Sequence, residues 1–175
     1  GVEVSAVGVA AAGAIDVEQG VPVYAGATLP GWTGAPIRAQ LEAALGLPVI
    51  VDNDVNALAL GELQMGAGRG YSNLLVVAVG TGVGGALIQG GRLWRGATWS
   101  AGEIGHLLVD LEGRRRCNCG QTGHLEAYVA GPALAAHYQV LAGLTEPIDL
   151  RDVAERASAG DAHALEAIVA GARTL

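Results

Sequence analysis

The chain has 175 residues, enough for one domain or two small lobes whose core needs no disulfide support. Hydrophobic residues make up 51% and charged residues 15%, which excludes a disordered segment and a charged coiled coil. The net charge of −7 argues against a nucleic-acid-binding surface, and no apolar run approaches the ~18 residues of a membrane span or follows a basic start as in a signal peptide. The expectation is a cytoplasmic protein. Its 28 Gly, absent Phe and basic residues that are all Arg reflect a GC-rich coding bias rather than a function.

Residues 2–12 form an apolar, β-branched run that predicts a buried strand with no preceding cap, so the chain is expected to open in mid-structure. Residues 13–16 look like a turn, and the Gly- and Pro-rich stretch through Gly31 looks irregular. Apolar spacing at Ile37, Leu41, Ala44 and Leu45 predicts a helix over 36–45 that stops at Gly46. A short buried strand at 47–51 then leads into Asp52-Asn53-Asp54 and a helix over 55–65, which puts Asp54 at the helix N-terminus, where it reads first as an N-cap.

Residues 74–79 read as a strand, 80–85 as a glycine turn and 86–89 as a second strand, together a hairpin. Gly80, Gly82 and Gly85 satisfy G-x-G-x-x-G, but Gly90-Gly91 leaves no room for the helix a dinucleotide fingerprint must open, so that reading is rejected. A phosphate cradle built from turn N–H groups stays open. Helices are expected over 132–141, 150–159 and 162–174, with Asp149 and Asp161 as caps.

His106, Cys117, Cys119 and His124 are four candidate metal ligands within nineteen positions, a donor set suited to tetrahedral Zn²⁺. Two buried free thiols with incidental histidines are the alternative. Glu103 and Glu126 flank the cluster and are candidate acceptors for sugar hydroxyls, while the Arg114-Arg115-Arg116 run reads as a solvated loop.

Four segments in order, Asp52-Asn53-Asp54-Val55-Asn56-Ala57, Gly80-Thr81-Gly82-Val83-Gly84-Gly85, Ala101-Gly102-Glu103-Ile104-Gly105-His106 and residues 117–126, resemble the motifs of the ROK family of bacterial sugar kinases and sugar-responsive repressors. The resemblance extends from about Gly8 to Pro132. It implies an α/β, actin-like (ribonuclease-H-like) ATPase fold in which two lobes close over sugar and ATP, with residues 1–70 in the first lobe and 71–175 in the second. By the same resemblance Asp54 is the catalytic base, and Asn53, Asp54, Glu103, His106 and Glu126 contact the sugar. Thr81, Gly82, Gly84 and Gly85 contact the phosphates of ATP with its Mg²⁺, and His106, Cys117, Cys119 and His124 hold a structural Zn²⁺, His124 standing where the family has a third Cys.

The family's first phosphate loop and its late adenosine-contacting segment have no counterpart here, so the chain is expected to be the central part of a two-lobe protein and inactive by itself. The implied activity is phosphorylation of a hexose, glucose foremost, by a homo-oligomer. The alternative is the sugar-sensing effector domain of a repressor.

Overall fold

The computed structural model describes residues 3–26 and 29–175. The chain divides into two compact units, Gly1–Val77 with Gly85–Glu103, and Ala78–Gly84 with Ile104–Leu175.

In the first unit, β1 (Val7–Ala11) pairs in parallel with β4 (Val49–Asn53), from Val7 opposite Val49 to Ala11 opposite Asn53. The expected strand at 2–12 is thus shorter, starting at Val7, and its residue 2 lies outside the described residues. Between these strands comes a small antiparallel pair, β2 (Ala14–Asp16) and β3 (Val21–Tyr24), where a turn and an irregular stretch were expected. The Asp16 carboxylate accepts the N–H groups of Glu18 at 2.9 Å and Gln19 at 3.0 Å and so closes the connecting turn. A three-residue strand has too little periodicity to announce itself; the pairing comes from its partner.

Helix α1 (Ile37–Leu45) ends at Gly46, whose φ of 66° gives the left-handed cap. Ala11, Ile15, Ile37, Val49 and Val51 form the core here, with Trp32 packed against it and its indole N–H bound to the Ala12 carbonyl at 2.9 Å. Helix α2 (Asp54–Met65) follows β4 without a break. A second core cluster joins Ala59 of α2 to Ala86 and Ile88, so α2 stays with the strands beyond residue 70.

Strands β5 (Leu74–Val79), β6 (Val83–Gln89) and β7 (Arg92–Trp94) form a three-stranded sheet in that order. β6 begins three residues earlier than expected, so Gly84 and Gly85 are strand residues and the turn is Gly80-Thr81-Gly82. A strand rather than a helix follows the glycines, in keeping with the rejection of a dinucleotide fold.

The second unit holds a 3-10 turn (Ile104–His106) and four helices: α3 (Glu126–Val129), α4 (Gly131–Ala142), α5 (Leu150–Ser158) and α6 (Ala162–Thr174). Asp149 caps α5 through the Asp152 N–H at 2.9 Å, and Asp161 caps α6 through His163 at 2.9 Å and Ala164 at 3.1 Å. Ala135, Tyr138, Val153, Ala164 and Ala167 make the shared core of the last three helices.

Tyr138 is the largest side chain fully enclosed there, and its hydroxyl donates to Asp161 at 2.8 Å while accepting from Arg156 at 3.0 Å. Tyr138→Phe leaves the Asp161 cap without that donor, so urea unfolding should show a loss of about 1–2 kcal/mol. An unchanged midpoint would mean that the hydroxyl contributes nothing.

Candidate functional site

Asp54 stands at the C-terminal end of a parallel strand, the place where open α/β sheets collect their ligands. The N-cap of α2 is Asn53 rather than Asp54: its Oδ1 accepts the N–H groups of Val55 at 2.8 Å and Asn56 at 3.1 Å, and its Nδ2 donates to the Gly13 carbonyl at 3.0 Å. Asn53 precedes the helix with extended backbone, whereas Asp54 is already its first residue. Relieved of the capping role, the Asp54 carboxylate is exposed, with Oδ1 accepting its neighbour's N–H at 2.9 Å. That is the placement a proton acceptor needs.

One residue of this corner escaped the sequence reading. Asp52 is buried and bonds Asn53, Asn56 and Arg95 at once. A buried carboxylate demands a cationic partner, but nothing local to the sequence identifies an arginine 43 positions away as that partner.

Within the second unit, the glycine turn is fixed from two sides. The Gly80 N–H donates to Gly82 at 2.9 Å, and the Gly80 carbonyl accepts the Gly131 N–H at 2.8 Å from the start of α4. Glu126 accepts the Val83 N–H at 3.0 Å, and a Cβ on Gly82 would lie 2.6 Å from the same carboxylate oxygen. Thr81 shares a cavity of about 610 Å³ with Arg115, Arg116, Glu126 and His137.

Three of the four candidate metal ligands form one cluster, and the fourth, His124, lies beside it without joining it. Donor atoms of His106, Cys117 and Cys119 all lie within 4.8 Å of one another. His124 Nδ1 is 3.2 Å from the Cys119 sulfur, and the two imidazole rings are 5.4 Å apart. The loop is folded by backbone bonds, Gly120 N–H to Cys117 at 2.9 Å and Cys117 N–H to Gln121 at 2.8 Å. At Gly123, φ is 77° and a side chain would run into the Asp110 carbonyl. The metal-free Cys117 thiol, buried and 3.5 Å from Glu126, is pushed up to about 11, chiefly by burial. Both sulfurs are free thiols.

The arginine run lies in a solvated loop, with Arg114 and Arg116 exposed and Arg115 part-buried, and two of its members make contacts. Arg114 donates to the buried Asp110 through Nε and Nη2, both at 3.1 Å, and Arg115 lies over the Tyr128 ring at 4.9 Å. Tyr128 also donates its hydroxyl to Asp110. The Arg114 bond first, then that of Tyr128, holds the Asp110 carboxyl far below the usual carboxylate range. Asp110 therefore braces the base of the ligand loop.

Comparison with known proteins bears on this arrangement. The ROK family model matches residues 1–175, and the chain belongs to the ROK family. It is 38% identical over 176 residues to the glucokinase of Halalkalibacterium halodurans, covering 93% of this chain and 52% of that protein. A crystal structure of a ROK family glucokinase from Streptomyces griseus, in complex with glucose and AMPPNP, superposes with a TM-score of 0.87 at 34% identity, covering 98% of this chain and 59% of that one. A ROK family transcriptional regulator, a homolog of the E. coli MLC protein, superposes with a TM-score of 0.77 at 26% identity over 93% of this chain and 42% of its own. The chain thus spans about half the length of the curated relatives it matches. The α/β, actin-like fold implied by the sequence motifs agrees with these structures. Among the described residues no helix is long and apolar enough to cross a membrane.

Because its pKa is depressed in the folded protein, Asp110 contributes stability that is fully present above the ordinary carboxylate value, about 3.9, and is lost progressively as pH falls from there through the much lower folded-state value. The gap between the thermal midpoints of wild type and Asp110→Asn should be full at pH 7 and should begin to narrow only as the pH falls below about 4. A gap that persists unchanged at pH 3 would show that the brace does not depend on the charge.

Proposed function

We propose that this chain carries the reacting and sugar-binding residues of an ATP-dependent hexose kinase, with glucose the foremost substrate. The observation that carries the reading is Asp54: an exposed carboxylate at the mouth of a parallel strand, freed from capping by Asn53, in a chain similar to a glucokinase whose structure holds glucose and AMPPNP.

On this reading Asp54 accepts the proton of one sugar hydroxyl as its oxygen forms a bond to the γ-phosphorus of ATP, and the bond to the ADP oxygen breaks. Phosphoryl transfer asks little else of a side chain than position and charge stabilisation. Asn53, Glu103, His106 and Glu126 bind sugar hydroxyls. Thr81 and the N–H groups around Gly82, Gly84 and Gly85 meet the phosphates, whose charge Mg²⁺ offsets when bound.

The donors of His106, Cys117 and Cys119 lie close enough to share one structural Zn²⁺, and His124, beside Cys119, would supply the fourth ligand of a tetrahedral set. The ion would hold the loop together and fix the tautomer of His106, leaving its other ring nitrogen for the sugar. The same reading puts the protein in the cytoplasm as a homo-oligomer.

The second reading, a sugar-sensing effector domain, is favoured by the similarity to the transcriptional regulator. The two separate in one assay on the natural full-length polypeptide, ADP release with ATP, Mg²⁺ and a panel of hexoses. The kinase reading expects turnover with a hexose and a loss of at least about 100-fold in Asp54→Asn, as for removal of a general base. Absence of turnover together with retained sugar binding would instead support the sensor.

Metal content gives a separate check. Purified wild type should hold about one zinc per chain, and Cys117→Ser or Cys119→Ser should lose it along with thermal stability. Equal zinc in all three proteins would remove these residues from the metal site.

A further inference from the structure

The Asp52 carboxylate is shared among three parts of the first unit. Oδ1 accepts the Asn53 backbone N–H at 2.8 Å and the Asn56 side-chain amide at 2.9 Å, within the first turn of α2. Oδ2 accepts two bonds from the Arg95 guanidinium, from Nε at 3.1 Å and from Nη2 at 2.5 Å. Asp54 is flanked by the bonded residues Asn53 and Asn56, so its backbone lies inside the segment that this carboxylate pins.

The other end of the ion pair is equally placed. Arg95 directly follows β7, and its carbonyl accepts the Ala101 N–H at 3.1 Å, which closes the loop over residues 95–101. Inside that loop Trp99 has a φ of 63°, the one non-glycine residue with positive φ among the described residues, a conformation that persists only where the surroundings impose it. Gly102, with φ 93°, lies so close to β6 that a Cβ would stand 2.5 Å from the Gly85 carbonyl. The next residue is Glu103, whose N–H donates to Ser100 at 3.3 Å.

We infer that Arg95, through its ion pair with Asp52, is the positioning residue of the phosphoryl-transfer site, holding the corner that presents Asp54 in register with the loop that bears Glu103. The inference rests on the kinase reading above. A surface ion pair would do no such work, but the Asp52 side chain is only 11% exposed and Arg95 29%, so the pair is made where few waters compete. Asp54 is exposed and cannot orient itself by packing; its placement is inherited from the corner. A base displaced by about 1 Å loses on the order of 100-fold in rate.

The test compares wild type, Arg95→Ala and Arg95→Lys in the natural full-length protein, reading kcat, sugar KM and hydrogen exchange at residues 53–56. Arg95→Ala should lower kcat by about 10- to 100-fold with KM changed less than about threefold, and should speed exchange at 53–56. Arg95→Lys, which keeps the charge, should recover part of kcat. Wild-type kcat in Arg95→Ala overturns the inference. So does a lowered kcat with unchanged exchange at 53–56, because Arg95 would then act on the reactants directly. If Arg95→Ala does not fold, Arg95→Lys and Asp52→Asn carry the same comparison against the same two outcomes. A wild type that phosphorylates no hexose refutes the kinase reading, and in that case unaltered exchange at 53–56 in the Arg95 variants would separately refute the clamp.

Discussion

The carboxylate of Asp52 sits where strand β4 gives way to helix α2, and the order of that corner depends on its being bonded on both oxygens. An acid this well buried is costly unless paired, and removing the partner of such a pair costs about 3–5 kcal/mol, toward the lower end when one member is part-exposed as Arg95 is. The cost is what makes the arrangement specific. A hydrophobic residue at 52 would fill the space, but it would tie neither the first turn of α2 nor the end of β7 to the strand. With Asp52 fixed, Asn53 is free to cap the helix and Asp54 to face solvent, so three consecutive polar residues take three separate roles.

The second unit solves a similar problem with a different device. Its ligand loop leaves Leu107, Leu108, Val109 and Leu111 exposed rather than packed, and its shape comes from left-handed glycines, backbone bonds and the Asp110 brace to Arg114 and Tyr128. The loop brings the two thiols and the His106 imidazole within 4.8 Å of one another, with His124 beside Cys119. Glu126 follows the loop directly and reaches back to the glycine turn, so the ligand loop and the turn share one carboxylate as a common support. A change at Cys117, which bonds Glu126, would therefore be felt at the turn as well as in the loop.

How much of this was legible in the sequence varies with the range of the interaction. The longer helices announced themselves by apolar spacing and by caps, as α6 does from Ala162 to Thr174 behind Asp161, whereas the four-residue α3 was too short to show a pattern. The closeness of His106, Cys117 and Cys119 was legible because the candidate residues crowd into nineteen positions, whereas the place of His124 outside that cluster was not. Strands β2, β3 and β7 were not, since three or four residues carry no periodicity and β3 contains a proline. The capping role was assigned one residue too late because Asn53 and Asp54 are both good caps, and only the backbone decides between them. The partnership of Asp52 with Arg95 was beyond reach, since a pairing across 43 residues is set by the packing of α2 on the three-stranded sheet.

The central claim is that Asp54 acts on a bound sugar rather than holding the fold. The most direct measurement is the equilibrium affinity for glucose, by calorimetry, of full-length wild type and Asp54→Asn. The account predicts affinities within about threefold of each other, because the amide keeps the size of the acid and one acceptor oxygen for a sugar hydroxyl while losing the charge and basicity that proton transfer needs. A variant that has lost sugar binding as completely as turnover would contradict it and return Asp54 to a structural part of the helix start.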